Sequence, residues 1–132
     1  MKDFLRKVTR GNGVSPSKIC LHAFYQNFKD AINVDWYNRD GYYEAIFYKE
    51  NLEHIAIFSL TGSLIEYKLY LPEGFLPLPI KNMAETMGEI MNAVMRNKGN
   101  MVEYEIIVRD DKLNRHLITL SDIGILLEEK IL

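Results

Sequence analysis

The sequence predicts an α+β fold: two helices packed on one face of a single antiparallel sheet, with the opposite face open to water. Three observations predict it. Apolar residues recur at helical spacing in two places, runs of period two fill the stretches between them, and the second half of the chain repeats the first. Each half alone would leave one sheet face and one helix face uncovered. Two halves together can bury both, as one sheet with both helices on the same side.

The elements follow in order. Residues 1–13 read as a flexible arm, where Lys2, Arg6, Lys7 and Arg10 gather beside Asp3 and Arg10-Gly11-Asn12-Gly13 forms a joint. Ser15 stands as an N-cap with Pro16 at the first helical position. Leu21, Phe24, Tyr25, Phe28 and Ile32 then share one helical face, which predicts a helix from about Pro16 to about Ala31. From there the pattern switches to period two. Val34 and Trp36 fall on one side of a short strand, Asp35 and Tyr37 on the other. Asn38-Arg39-Asp40-Gly41 is a hairpin turn, and Tyr42 to Lys49 is the return strand. Glu50-Asn51 turns the chain into a third strand from Leu52 to Leu60, and Thr61-Gly62-Ser63 turns it into a fourth from Leu64 to Leu71.

Pro72 to Pro79 holds three of the four prolines and reads as an extended crossover, with Phe75 and Leu78 plugging one end of the core. A second helix is predicted from about Ile80 to Asn97. It would carry Met83, Met87, Ile90, Met91 and Val94 on one face, with Gly88 admitting a close neighbour and Gly99 as C-cap. Three more strands follow in Met101–Arg109, Asn114–Leu120 and Gly124–Leu132. The halves match at Pro16-Ser17-Lys18 with Pro79-Ile80-Lys81, at Tyr43-Glu44-Ala45-Ile46 with Tyr104-Glu105-Ile106-Ile107, and at Ile57-Phe58-Ser59-Leu60 with Leu117-Ile118-Thr119-Leu120. Residues 14–132 therefore read as a single domain of two repeats, about 14–72 and 79–132. The second copy lacks a clear counterpart of the Val34–Tyr37 strand.

Phe28 to Trp36 ("FKDAINVDW"), then "RDGYYEAIF" and "IFSLTGSLIE", resemble the PepSY-like domain, also called β-lactamase-inhibitor-like. The resemblance spans Pro16 to Leu132. The chain departs from the usual pattern at Lys29, where the family has proline, and at Leu60-Thr61-Gly62, where an aspartate often precedes the turn. The resemblance implies a bacterial cell-envelope protein, periplasmic and exported, that binds other proteins. It brings no shared catalytic residues. A cytoplasmic location is the alternative, since Met1 to Gly13 lacks the apolar segment of a secretory signal. Inhibition of a β-lactamase is a narrower claim that these residues do not carry.

The chemistry the chain excludes is broad. A formal charge of -2 without a basic patch gives no reason to expect nucleic acid. No apolar run approaches the ~20 residues of a membrane span. Cys20 is the single cysteine, so no internal disulfide is possible. Cys20 and His22 lie two apart on a helix and point about 200° apart, which precludes a nucleophile–base pair. Asp110-Asp111 reads as a turn. No catalytic residue, metal site or cofactor is expected. Met83, Met87, Met91 and Met95 recur every four residues; thioethers can bind soft metals, and core packing is the simpler reading.

What is left is a surface. The small Ala45 suits close helix contact, so Tyr43, Ala45 and Phe47 face inward, as do Ile65, Tyr67 and Leu69 on the fourth strand. Tyr37, Tyr42, Glu44, Ile46, Tyr48, Ile57 and Tyr70 then face outward as the candidate partner-binding set. The expected function is a non-catalytic module that recognises a protein or peptide on this face, as a monomer or a weak homodimer. The alternative is a sensor of a small ligand or ion in a cleft near Pro72–Pro79.

Overall fold

The structure is a computed structural model and describes residues 15–132; the arm predicted over residues 1–13 lies outside the described residues. Among the described residues, two helices and eight strands make an α+β fold, and the antiparallel ladders join strands that are consecutive in the chain. The chain divides into two compact units, one ending at Tyr67 and the other starting at Lys68, and each has its own apolar core.

In the first unit, α1 (Lys18–Asn27) starts two residues later than the sequence predicts. The N-cap is Ser17, not Ser15: its backbone is extended and its Oγ accepts from the Cys20 N–H at 3.3 Å. The helix stops at Asn27 rather than Ala31, because Phe28 leaves helical geometry while its N–H still reaches Phe24 O at 2.8 Å. The stripe it buries is Cys20, Phe24 and Phe28; Tyr25, expected on that face, is exposed, and Ile32 belongs to the next strand.

β1 (Ile32–Asn38), β2 (Tyr42–Lys49) and β3 (Leu52–Ser59) form two antiparallel ladders. Asp40 and Gly41 take φ 42° and 95°, and Arg39 and Tyr42 exchange N–H to O bonds of 2.9 and 3.3 Å, so the first hairpin is a two-residue turn as expected. Glu50 and Asn51, at φ 54° and 65°, close the second. Register sets Trp36 beside Ala45 and Ala45 beside Ala56, and these small residues let α1 come down on the strands. Phe24 fills the space between. Its ring lies 5.0 Å from Phe47, 5.1 Å from Trp36 and 5.4 Å from Phe28, pairs worth about 0.5–1.5 kcal/mol each beyond burial. β4 (Leu64–Tyr70) brings Tyr67 to the same core, where it stacks on Phe28.

The second unit departs most from expectation. α2 is only Leu78–Met87, and Glu89–Lys98, predicted as its continuation, is strand β5. Gly88 ends the helix, and Gly99, at φ 67°, lies in a hairpin instead of capping a helix. The cause of the misreading is visible in the ladder. Between β5 and β6 (Met101–Arg109) the register shifts at Ile90/Asn92, so Ile90 and Ala93 face the same core although they are three residues apart. A bulge thus imitates helical spacing. β5 follows α2 directly, as β1 follows α1, so among the described residues each helix is succeeded by four strands.

β7 (Arg115–Ser121) and β8 (Leu126–Ile131) complete the antiparallel ladders. Ile80 and Ala84 of α2 pack on Ala93, Ile106 and Ile118, so here the small residue Ala84 lies on the helix and the larger Ile106 and Ile118 on the strands. Met83, Met87 and Met95 pack against this core while Met91 is exposed on β5, so the four methionines do not share a face. The proline-rich segment holds a 3-10 turn at Glu73–Phe75. Its buried residue is Leu76; Phe75 and Leu78, expected to plug the core, are exposed. Leu71 N–H donates to Ala93 O at 2.9 Å, which ties the start of this segment to β5.

Candidate functional site

The helix-free side of β1–β3 carries six of the seven predicted residues. Period two and the register set them in rows: Tyr37, Glu44 and Ile57 lie across the three strands, and Ile46 lies between Asp35 and Ile55. Tyr42 pairs with Ser59 near the first hairpin, and Tyr48 pairs with Glu53 near the second. Tyr37, Tyr42, Glu44, Tyr48 and Ile57 are half-buried. Ile46 is not available as an exposed contact: only 8% of it is accessible, as expected of a mid-strand residue with neighbours on both ladders. Asp35 beside it is also buried. Tyr70, the seventh residue, is half-buried on β4 in the second unit.

Polar contacts fix the orientation of this surface. Arg39 reaches Glu44 at 3.3 Å and lies 4.8 Å over the Tyr37 ring, joining an ion pair to a cation–π contact. The Tyr48 hydroxyl donates to Glu53 Oε1 at 3.2 Å. Arg39 and Glu53 were not among the predicted residues. The two-residue Glu50-Asn51 turn fixes the register that sets Tyr48 opposite Glu53, so that partner was computable from the sequence. The matching face of the second unit is charged instead. Arg96, Glu103, Glu105, Leu117, Thr119, Glu128 and Lys130 line a depression of about 340 Å³.

The two histidines on strands serve different ends. His54 faces α1 and is buried, and its ring stacks on Phe47. Burial pushes its pKa down, so the neutral ring donates from Nε2 to Lys49 O at 3.2 Å and accepts at Nδ1 from the Tyr67 hydroxyl. Burial likewise pushes Tyr67 up, which keeps that hydroxyl a donor. This is a satisfied core pair with nothing left for chemistry. The Cys20 thiol is buried and pushed up too, away from thiolate reactivity.

His116 is held by acids. Its Nε2 lies 2.7 Å from Asp110 Oδ2, and its Nδ1 lies 3.0 Å from Glu129 Oε2, close in charge though out of line for a hydrogen bond. Asp110 also accepts from the Lys112 and Asn114 N–H groups, the turn role expected of it. The Asp110 carboxylate pulls the His116 pKa above its ordinary 6.5, and His116 pulls Asp110 below its ordinary range. A raised histidine contributes stability below the unfolded value and loses it as pH rises through the folded value. A depressed aspartate contributes at higher pH and loses it as pH falls. The pair therefore holds the turn best between the two. NMR titration is expected to place the His116 midpoint above 6.5 and to bring it down in Asp110→Asn; an unchanged midpoint would count against the pair. Among the described residues no group of three or more potential ligands could hold a metal ion.

No family model matches the chain, and no curated protein matches it significantly. Solved structures do. A DUF2874 family protein from Bacteroides ovatus superposes with a TM-score of 0.81 at 21% identity, covering 90% of this chain and 89% of that one. A BLIP-like protein from Bacteroides fragilis gives 0.80 at 18% identity, covering 90% and 88%. The fold is BLIP-like. A protein from Bacteroides eggerthii expected to be periplasmic gives 0.79 at 14% identity, covering 89% and 90%. The BLIP-like fold agrees with the β-lactamase-inhibitor-like half of the resemblance read in the sequence; the PepSY half has no counterpart among these structures. No helix among the described residues is long and apolar enough to cross a membrane.

Proposed function

We propose that the protein is a non-catalytic binding module of the bacterial cell envelope that recognises a protein or peptide through the helix-free face of β1–β3. The observation that carries this reading is the composition and fixing of that face. Tyr37, Tyr42, Tyr48 and Ile57 offer aromatic and aliphatic area, and the Arg39–Glu44 and Tyr48–Glu53 contacts hold the polar rim in place. Recognition surfaces combine such anchors with orienting polar groups. Pre-set side chains also lose less rotamer freedom on binding. Ile46 acts as the packed floor of this surface, and Tyr70 belongs to the proposal only as a residue of β4. The non-catalytic reading draws support from Cys20 and His54, both buried and internally committed.

The envelope location rests on the PepSY-like sequence resemblance and on the likeness to a protein expected to be periplasmic. Among the described residues, the shared order of a helix followed by four strands supports reading residues 14–72 and 79–132 as tandem copies within one domain. The test of the binding reading is capture from native lysate. Tyr42→Ala with Ile57→Ala is expected to abolish capture of a partner while melting shifts by only a few degrees. Capture that survives the double substitution overturns the reading.

A further inference from the structure

The last strand carries a surface of its own. β8 is terminal in the strand order, and the described residues pair it with β7 alone. All six of its residues are exposed, Ile131 at 74% and Leu127 at 52%. The Leu132 N–H donates to Arg115 O at 2.9 Å, so by alternation the backbone groups of Lys130 and Glu128 also face β7. Those of Glu129 and Ile131 face away, an edge ready for another strand. The regular stretch ends at the register shift opposite Thr119/Leu120, beside Leu127.

The sequence Leu126-Leu127-Glu128-Glu129-Lys130-Ile131-Leu132 reads nearly the same in both directions, apolar at each end and charged in the middle. A two-fold axis through Glu129 sets Glu128 opposite the partner's Lys130 and Lys130 opposite the partner's Glu128. It also brings Leu127 beside the partner's Ile131. An axis through Glu128 would instead set Glu129 and Lys130 opposite the partner's Leu127 and Leu126, and an axis through Lys130 would set Glu129 and Glu128 opposite the partner's Ile131 and Leu132, so charge would meet apolar side chains in both. An axis between residues would pair backbone groups facing the edge with groups facing β7. We propose that β8 pairs antiparallel with β8 of a second copy of this chain, in the register centred on Glu129. The two Glu129 carboxylates then meet at the axis, but each lies 3.0 Å from its own His116 Nδ1, so neither stands as an isolated charge. The dimer extends the sheet at an edge, apart from the face proposed above for a foreign partner.

Charge exchange tests both the edge and the register. Glu128 and Lys130 are well exposed, so substitution leaves the core intact. Sedimentation of the full chain over a concentration series is expected to show reversible dimerisation. Glu128→Lys and Lys130→Glu each convert two attractive cross-strand pairs into repulsive ones and should each weaken association about tenfold. The double exchange, Glu128→Lys with Lys130→Glu, should restore it. A monomer at every concentration overturns the proposal. So does a dimer indifferent to the single exchanges, or a double exchange that stays weak.

Discussion

Phe24→Ala is expected to cost about 3–5 kcal/mol, the largest loss of any single truncation in the first unit. Phe24 is fully buried, and its ring touches Tyr25, Phe28, Trp36, Phe47 and Phe58. The seat below it is made by Ala45 and Ala56, which cannot reach up into the void. Its other neighbours are rings already committed to one another, such as Phe28 on Phe47 and Tyr67 and Trp36 on Tyr43. The cavity should stay open, and the cavity contribution should add to the lost transfer energy. Denaturant unfolding measures it. A loss under about 1 kcal/mol would mean that the rings close over the gap, contrary to the packing described.

Gly88→Ala should cost about 1–3 kcal/mol in the second unit for the opposite reason, overpacking. A Cβ placed there would stand 2.6 Å from the Arg109 carbonyl oxygen and 2.8 Å from its carbon. Both are backbone atoms, so no side-chain rotation relieves the clash. Glu89, the next residue, pairs with Arg109 in the β5–β6 ladder and bonds it through the side chains at 2.8 Å, so the strand is held in place against the intruding methyl. Relief requires opening the first rung of that ladder. Gly74→Ala is the control, because a Cβ there meets nothing within 4 Å. Equal melting temperatures for the two variants would refute the assignment.

The first unit was legible in the sequence because β2 and β3 alternate from side to side in an unbroken register and its turns are dipeptides with a known demand for positive φ. Asp40-Gly41 and Glu50-Asn51 fixed two ladders, and Ala45 identified the helix side. The second unit was read less well. Met83 to Asn97 has good helix formers and apolar residues at three- and four-residue steps, and only the β5 bulge explains that spacing. Local propensity lost to ladder pairing there. Orientation on the candidate face was legible, accessibility was not. Period two says that Ile46 points away from α1, yet burial depends on what its neighbours cover. Arg39 over Tyr37 depends on how a turn residue folds back, which no periodicity records.

The strand order has a kinetic consequence. The ladders described above join strands consecutive in the chain, and the β2–β3 and β5–β6 connections span only two residues each. Native contacts in the sheet are therefore close in sequence, and little loop-closure entropy opposes each new rung. Pairing between consecutive strands keeps the contact order of the ladders low, which favours folding toward the fast end of sheet proteins. Hairpins can form before the helices dock, so each unit has a local route to its own nucleus.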